Sequence, residues 1–168
     1  MAATFELSES NGASETVTDG ISNLNYGSAD VPNLDPATYP ITAGENSYEK
    51  WVRCHFTGTF NKIENIRIWK SAGDYVTGET IKTNLTTDAG SYSAATYSQP
   101  TQSTSTVATN DMPTSEPSSA NLGIGGSLSG SLTSEGYSDY WVSQLQTTTS
   151  TPPGDVNTKT FTIKYDEQ

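Results

Sequence analysis

Cys54 and His55 stand side by side in the stretch WVRCHFTGTFNKIENIRIWK, residues 51–70, which holds the chain's one cysteine, its one histidine and half of its eight basic residues. A thiolate beside an imidazole is equipment for nucleophilic catalysis, in which the base takes the sulfur's proton across a contact of roughly 3 Å. A row of arginines and lysines is equipment for anion binding. The alternation of the stretch decides against the first use. Val52, Cys54, Phe56 and Phe60 fall on one face of a strand, and Trp51, Arg53, His55 and Thr57 on the other, with Gly58 permitting a bend or bulge. Sulfur and ring therefore point to opposite sides. NKIE reads as a turn and NIRIWK as the next strand, with Ile66 and Ile68 inward and Arg67 and Trp69 outward. The stretch is expected to be a strand pair. Its outer aromatic and basic face, Trp51, Arg53, Arg67 and Trp69, is the candidate interface, suited either to stacking on a sugar or to being covered by the fold or a protein neighbour.

Other chemistries lack their residues. Gly123, Gly125, Gly126 and Gly130 resemble a phosphate-cradling loop, but the dinucleotide pattern needs a glycine where Leu128 stands, and no Lys-Ser/Thr pair follows. Glycines that permit tight bends or close packing are the simpler reading. A zinc site draws on several Cys or His ligands, and the chain has one of each. No segment has the dense acidic spacing of a calcium loop, so Asp30, Asp35, Asp74 and Asp88 read as solvated. Nineteen acidic residues always furnish some pair for glycoside hydrolysis, so abundance alone carries no weight, and no serine sits in a Gly-x-Ser-x-Gly elbow. Asn84-Leu85-Thr86 matches a glycosylation sequon and reads as a surface turn. The expectation is a protein that is not an enzyme, with no catalytic, cofactor-binding or metal-binding residues.

The elements that must position these residues are short and extended. TFELSES places Phe5 and Leu7 on one face, and TKTFTIKYDE places Phe161, Ile163 and Tyr165 on one face against Thr160, Thr162 and Lys164. YSDYWVSQLQ is apolar on both sides around Trp141, as a central strand is. VPNLDPATYP, with three prolines in ten residues, is expected to be an extended connection, and TPPGD a turn. Residues 98–134 are rich in Ser, Thr, Pro and Gly and nearly free of large apolar groups, which predicts a long loop laid over a sheet or onto a neighbouring subunit. The pattern predicts one domain over 1–168, an all-β antiparallel sandwich of jelly-roll or immunoglobulin-like kind.

Composition agrees. Serine and threonine supply 48 of 168 residues, favouring strands and turns over helices. Leu, Ile, Val and Phe number only 27, so nine Tyr and three Trp must carry much of a thin core. The net charge of −11 repels nucleic acid and anionic membranes, and a cationic partner patch suits it better. The opening residues lack a basic, apolar leader, so the chain is expected to start near Met1, and a single cysteine fits synthesis in a reducing cytoplasm.

Three segments, ISNLNYGSAD, YPITAGENSYEKWVRCHFTGTFNKIENIRIWKSAG and GIGGSLSGSLTSEGYSDYWVSQLQTTTSTPPGDVNTKTFTIKYDEQ, together resemble small virion structural proteins of tailed bacteriophages. The likeness lies in a "YPITAGENSYEKW" entry, an "NIRIWKSAG" strand and a closing "KTFTIKYDE", and includes no catalytic signature. It implies a capsid decoration (cement) protein, made in the host cytoplasm and carried on the virion, that binds the major capsid protein or other virion proteins, as a homo-oligomer. A carbohydrate-binding β-sandwich module of a phage tail, fibre or secreted enzyme is the alternative.

Overall fold

The alternating segments form strands, and every pairing between them is antiparallel. The computed structural model describes residues 2–152 and 158–168. In chain order the strands are β1 (Thr4–Asn11), β2 (Thr16–Thr18), β3 (Lys50–Thr57), β4 (Ile63–Ala72), β5 (Thr80–Thr83), β6 (Asn110–Asp111), β7 (Ser131–Leu132), β8 (Gly136–Tyr137), β9 (Trp141–Gln146) and β10 (Thr160–Glu167). They make two sheets. The larger runs β2-β1-β3-β9-β5-β6, with β8 also on β3, and the smaller runs β10-β4-β7. The molecule is an all-β sandwich, as the alternation predicts.

Aromatic rings join the two layers. Phe5 and Phe56 of the larger sheet pack on Tyr165 of β10 at 5.8 and 4.8 Å between ring centres, and Trp141 of β9 meets Phe161 of β10 at 5.3 Å, near edge-to-face. Around them lie Val52, Cys54, Ile63, Ile66, Ile68, Ile81 and Leu145, all buried. Rings of this size each bury far more area than a valine, which is how a chain poor in aliphatic residues fills its interior.

The expected strand pair of residues 51–70 is not formed. β3 and β4 belong to different sheets, and residues 58–62 carry the chain across the sandwich from one to the other. Both strands have apolar inner faces, Val52, Cys54 and Phe56 on one and Ile63, Ile66 and Ile68 on the other, and these faces meet through the interior instead of lying side by side. Gly58 at φ 88° makes the corner, and Asn65 at φ 58° sits beside the register shift between β4 and β10. Phe60 plugs the crossing and is buried. Alternation tells which side chains face the core but not which sheet they belong to.

The Ser/Thr/Pro/Gly-rich loop at 98–134 lies over the sheets, one of the two placements expected of it, and it also contributes to the interior. Met112, Leu122 and Ile124 join the main core, and Ala108 and Ala120 are buried. Much of the segment follows the free edge of β4. Asn121 imitates a strand there: its side-chain oxygen accepts from Ile68 N and its amide donates to Ile68 O, each at 2.8 Å. Two of the four glycines are packing glycines, since a Cβ on Gly130 would come within 1.9 Å of Ile124 O, and one on Gly123 within 2.4 Å of the Asp139 carboxylate; Gly125 and Gly126, at φ 59° and 80°, make a bend.

Two smaller readings change. Asn84 is not in a surface turn: it is buried, with its amide donating to Tyr140 O and its oxygen accepting from Val142 N, so it extends β5 along β9. VPNLDPATYP is not extended but turns back on Asp35, whose carbonyl accepts from Thr38 N and Tyr39 N, and Leu34 inserts into the interior. The expected turn at TPPGD lies mostly outside the described residues.

Because Leu122 is a core residue, Leu122→Ala should lower unfolding stability by about 2–5 kcal/mol in urea titration with an unchanged m-value. A loop merely draped over the surface would give a change of a few tenths.

Candidate functional site

The outer face of the larger sheet collects most of the chemistry-bearing side chains, and the β1–β3 register places them. Glu6 lies opposite His55, Ser8 opposite Arg53, and Ser10 opposite Trp51. On the other side of β3, Tyr137 of β8 lies opposite His55. Asp19 returns to this face at the Asp19-Gly20 turn, where Gly20 has φ 65° and Ile21 N donates to Leu7 O.

His55 and Cys54 point to opposite sides, as expected. The thiol is sealed in the core at 1% exposure, and burial pushes its pKa up to about 12, opposed by Ser138. His55 Nδ1 lies 2.8 Å from Glu6 Oε1 and 3.8 Å from Asp19 Oδ1, and its ring stacks on Tyr137 at 4.1 Å, nearly parallel. Asp19 also accepts from Ser8 Oγ at 2.6 Å and from Tyr137 OH at 3.2 Å. The Ser8 hydroxyl, more than any other partner, holds the Asp19 carboxyl below its ordinary range; Tyr137, His55 and Arg53 add to this, while desolvation opposes it.

One ligand atom from each of Glu6, Asp19 and His55 lies within 4.8 Å of the others. Two carboxylates and an imidazole are donors that borderline divalent ions accept, and here they converge from three separate parts of the chain. The 2.8 Å contact between Nδ1 and Oε1 is a hydrogen-bond length, so the trio is already satisfied as an acid–imidazole pair.

The candidate interface residues do not lie together. Trp51 is 1% exposed, covered by Tyr97 and Tyr140 at 5.5 and 5.3 Å, and its Nε1 donates to Glu49 Oε2 at 3.0 Å. With Ala108 and Val142 it forms a second, smaller core outside the larger sheet, roofed by residues 95–108. Arg53 is clasped between Tyr137 and Tyr140, its guanidinium 4.3 and 4.6 Å from their ring centres, with Glu15 at 4.0 Å. Arg67 and Trp69 are on the opposite side of the sandwich, on the outer face of the smaller sheet. There Arg67 donates to Glu116 Oε1 at 2.7 Å, Lys164 donates to the same oxygen at 2.9 Å, and Trp69 lies partly exposed opposite Thr162.

Sequence reasoning missed Glu6, Asp19, Tyr137, Tyr97 and Tyr140 as partners of the 51–55 stretch. The alternating Glu6, Ser8 and Ser10 marked a polar face on β1. Nothing in their spacing pointed to β3 as the neighbour.

Two measurements check this face. Cys54 should resist alkylation in the folded protein near pH 8 and react fully once unfolded, and Cys54→Ala should cost about 1 kcal/mol of stability. The depressed Asp19 pKa contributes stability above the ordinary carboxylate range that is lost as pH falls through the folded-state value. Ser8→Ala should therefore move the Asp19 titration, followed by carboxyl-carbon NMR, to higher pH; an unmoved titration would remove Ser8 as the main cause.

No protein-family model matches this chain, and neither a curated protein nor a solved structure matches it.

Proposed function

We propose that this protein is a virion structural protein, a capsid decoration protein of a tailed bacteriophage that binds the lattice of major capsid protein. The observation that carries the reading is the outer face of the smaller sheet. Strands β4 and β10 present Arg67, Trp69, Thr162 and Lys164 together on it, with Thr160 and Ser71 exposed at one end. A half-buried tryptophan within a rim of charged and hydroxyl groups has the make-up of a protein-binding patch, an aromatic anchor inside a polar border.

Three features support a structural role. The cysteine and histidine are engaged inside the fold, one sealed in the core and the other paired with Glu6. The net charge of −11 favours a cationic partner surface. The likeness of its segments to small phage virion proteins supplies the particle. As a homo-oligomer, it would need only modest affinity per subunit, because its linked copies engage several lattice sites at once. Sugar binding is the second reading. It rests on Trp69, the partly exposed ring of the pair, because Trp51 is roofed over and has no face free for stacking.

Co-sedimentation with purified capsids separates the two. The wild-type chain should co-sediment in numbers comparable to the major capsid protein, and Trp69→Ala and Arg67→Ala should reduce this at least tenfold with an unchanged melting temperature. Glycan-array binding abolished by Trp69→Ala, without capsid binding, would replace decoration by sugar recognition.

A further inference from the structure

On the core side of the same β1–β3 ladder, where it ends, an amine, a carboxylate and a carboxamide are buried together. Lys50 is 1% exposed, Glu9 0% and Asn11 7%. Lys50 Nζ donates to Glu9 Oε1 at 2.8 Å, and Asn11 Nδ2 donates to the same oxygen at 2.9 Å. Amine and carboxamide are thus within two hydrogen-bond lengths of each other, bridged by one carboxylate. The register explains why: Glu9 pairs with Val52 and Ser10 with Trp51, so Asn11 and Lys50 occupy the next positions of their strands.

The surroundings hold the three in place. Lys50 Nζ also donates to Val31 O at 3.0 Å, and Asn11 Nδ2 to Asp30 Oδ1 at 2.7 Å. As a purely structural arrangement it is a poor one. Buried ion pairs seldom stabilise more than apolar side chains of similar volume, and Glu9 Oε2 and Asn11 Oδ1 are buried with no hydrogen-bond partner among the described residues. The neighbour Gly12, whose backbone nitrogen could attack the Asn11 side chain to close an imide, is restrained because that N–H donates to Asp30 Oδ2 at 2.8 Å.

We infer that Lys50 and Asn11 become joined by an intramolecular isopeptide bond, which the folded chain forms by itself with Glu9 carrying the protons. A proton passes from the Lys50 ammonium to Glu9 along their hydrogen bond. The freed Nζ lone pair attacks Asn11 Cγ, forming the N–C bond and placing negative charge on Oδ1. When the carbonyl re-forms, the Cγ–Nδ2 bond breaks. Glu9 relays to Nδ2 the two protons that Nζ gives up, so Nδ2 leaves as ammonium and Glu9 ends as the carboxylate it began as. No oxidant or cofactor is needed. Amide aminolysis is slow in water, and the fixed approach of the reacting groups in a site closed to solvent supplies the acceleration. The product ties β1 to β3 across residues 12–49, closing that loop covalently in a chain whose single cysteine offers no disulfide.

Intact-mass measurement and peptide mapping of the purified full-length protein test this. The expected result is a mass one ammonia below that of the sequence, and a branched peptide after proteolysis joining residue 11 to residue 50. Glu9→Gln and Lys50→Met chains should keep the ammonia. If either variant fails to fold, the wild-type map decides alone. Full sequence mass with Lys50 recovered in a linear peptide would overturn the inference. So would a missing ammonia traced to a linear, hydroxylamine-cleavable Asn11-Gly12 imide.

Discussion

The register of β1 against β3 orders both faces of the larger sheet. Seven residue pairs run from Thr4 with Thr57 to Ser10 with Trp51, and their alternation sends Phe5, Leu7 and Glu9 inward and Glu6, Ser8 and Ser10 outward. A slip of one residue would exchange the two sets. Leu7 would then leave the core side of Cys54, Glu6 would lose His55, and the Glu9 carboxylate would leave Lys50. Burial of the Lys50–Glu9 ion pair beside Asn11 at one end and packing of the partly buried Phe5 at the other make any such slip costly, because charges without partners and rings in water are both penalised. The ladder that aligns the hydrophobic face therefore also aligns the polar chemistry on each side of it.

Polar side chains solve a second problem, that of holding long irregular segments against a sandwich with few aliphatic residues. Buried backbone groups need partners, and strands provide them only over part of this chain. Asn121 supplies both a donor and an acceptor to Ile68, and Asn84 does the same for Tyr140 and Val142. Gln144, fully buried, accepts from Ser105 N and donates to Ser47 O and Ser103 O, so one side chain fixes parts of two loops. Carboxamides suit this work because each carries a donor and an acceptor in one plane, matching the peptide group. A composition that borders on disorder becomes ordered where such side chains reach the backbone of a neighbouring strand.

The two outer faces have diverged. On the larger sheet, residues 95–108 lay Tyr97 and Ala108 over Trp51 and Val142, turning an outer face into a second small core. On the smaller sheet, Arg67, Trp69 and Lys164 keep contact with solvent, and Arg67 and Lys164 also pair with Glu116. Two tryptophans 18 positions apart with the same outward alternation thus have opposite fates, one covered within its own chain and the other partly open to solvent.

Alternation made much of the strand content legible. Val52, Cys54 and Phe56, or Phe161, Ile163 and Tyr165, declare an inner face because side chains alternate in any strand, whatever its neighbours. That period separated Cys54 from His55 and placed Trp141 at a two-sided position. Which strands pair was not legible, since it depends on contacts between distant segments. The crossing of β3 and β4 into different sheets, the meeting of Glu6, Asp19 and His55, the roof over Trp51 and the trio of Glu9, Asn11 and Lys50 all rest on such pairings. The share of the segment 98–134 in the core was not legible for a related reason: its few apolar residues, Met112, Leu122 and Ile124, show no period, and its polar ones bond to strands far along the chain. Local sequence determined strand periodicity and surface charge, because these depend on near neighbours. The tertiary structure alone decided which chemical groups meet, because burial and hydrogen bonding between remote segments select one arrangement from many that the same local pattern allows.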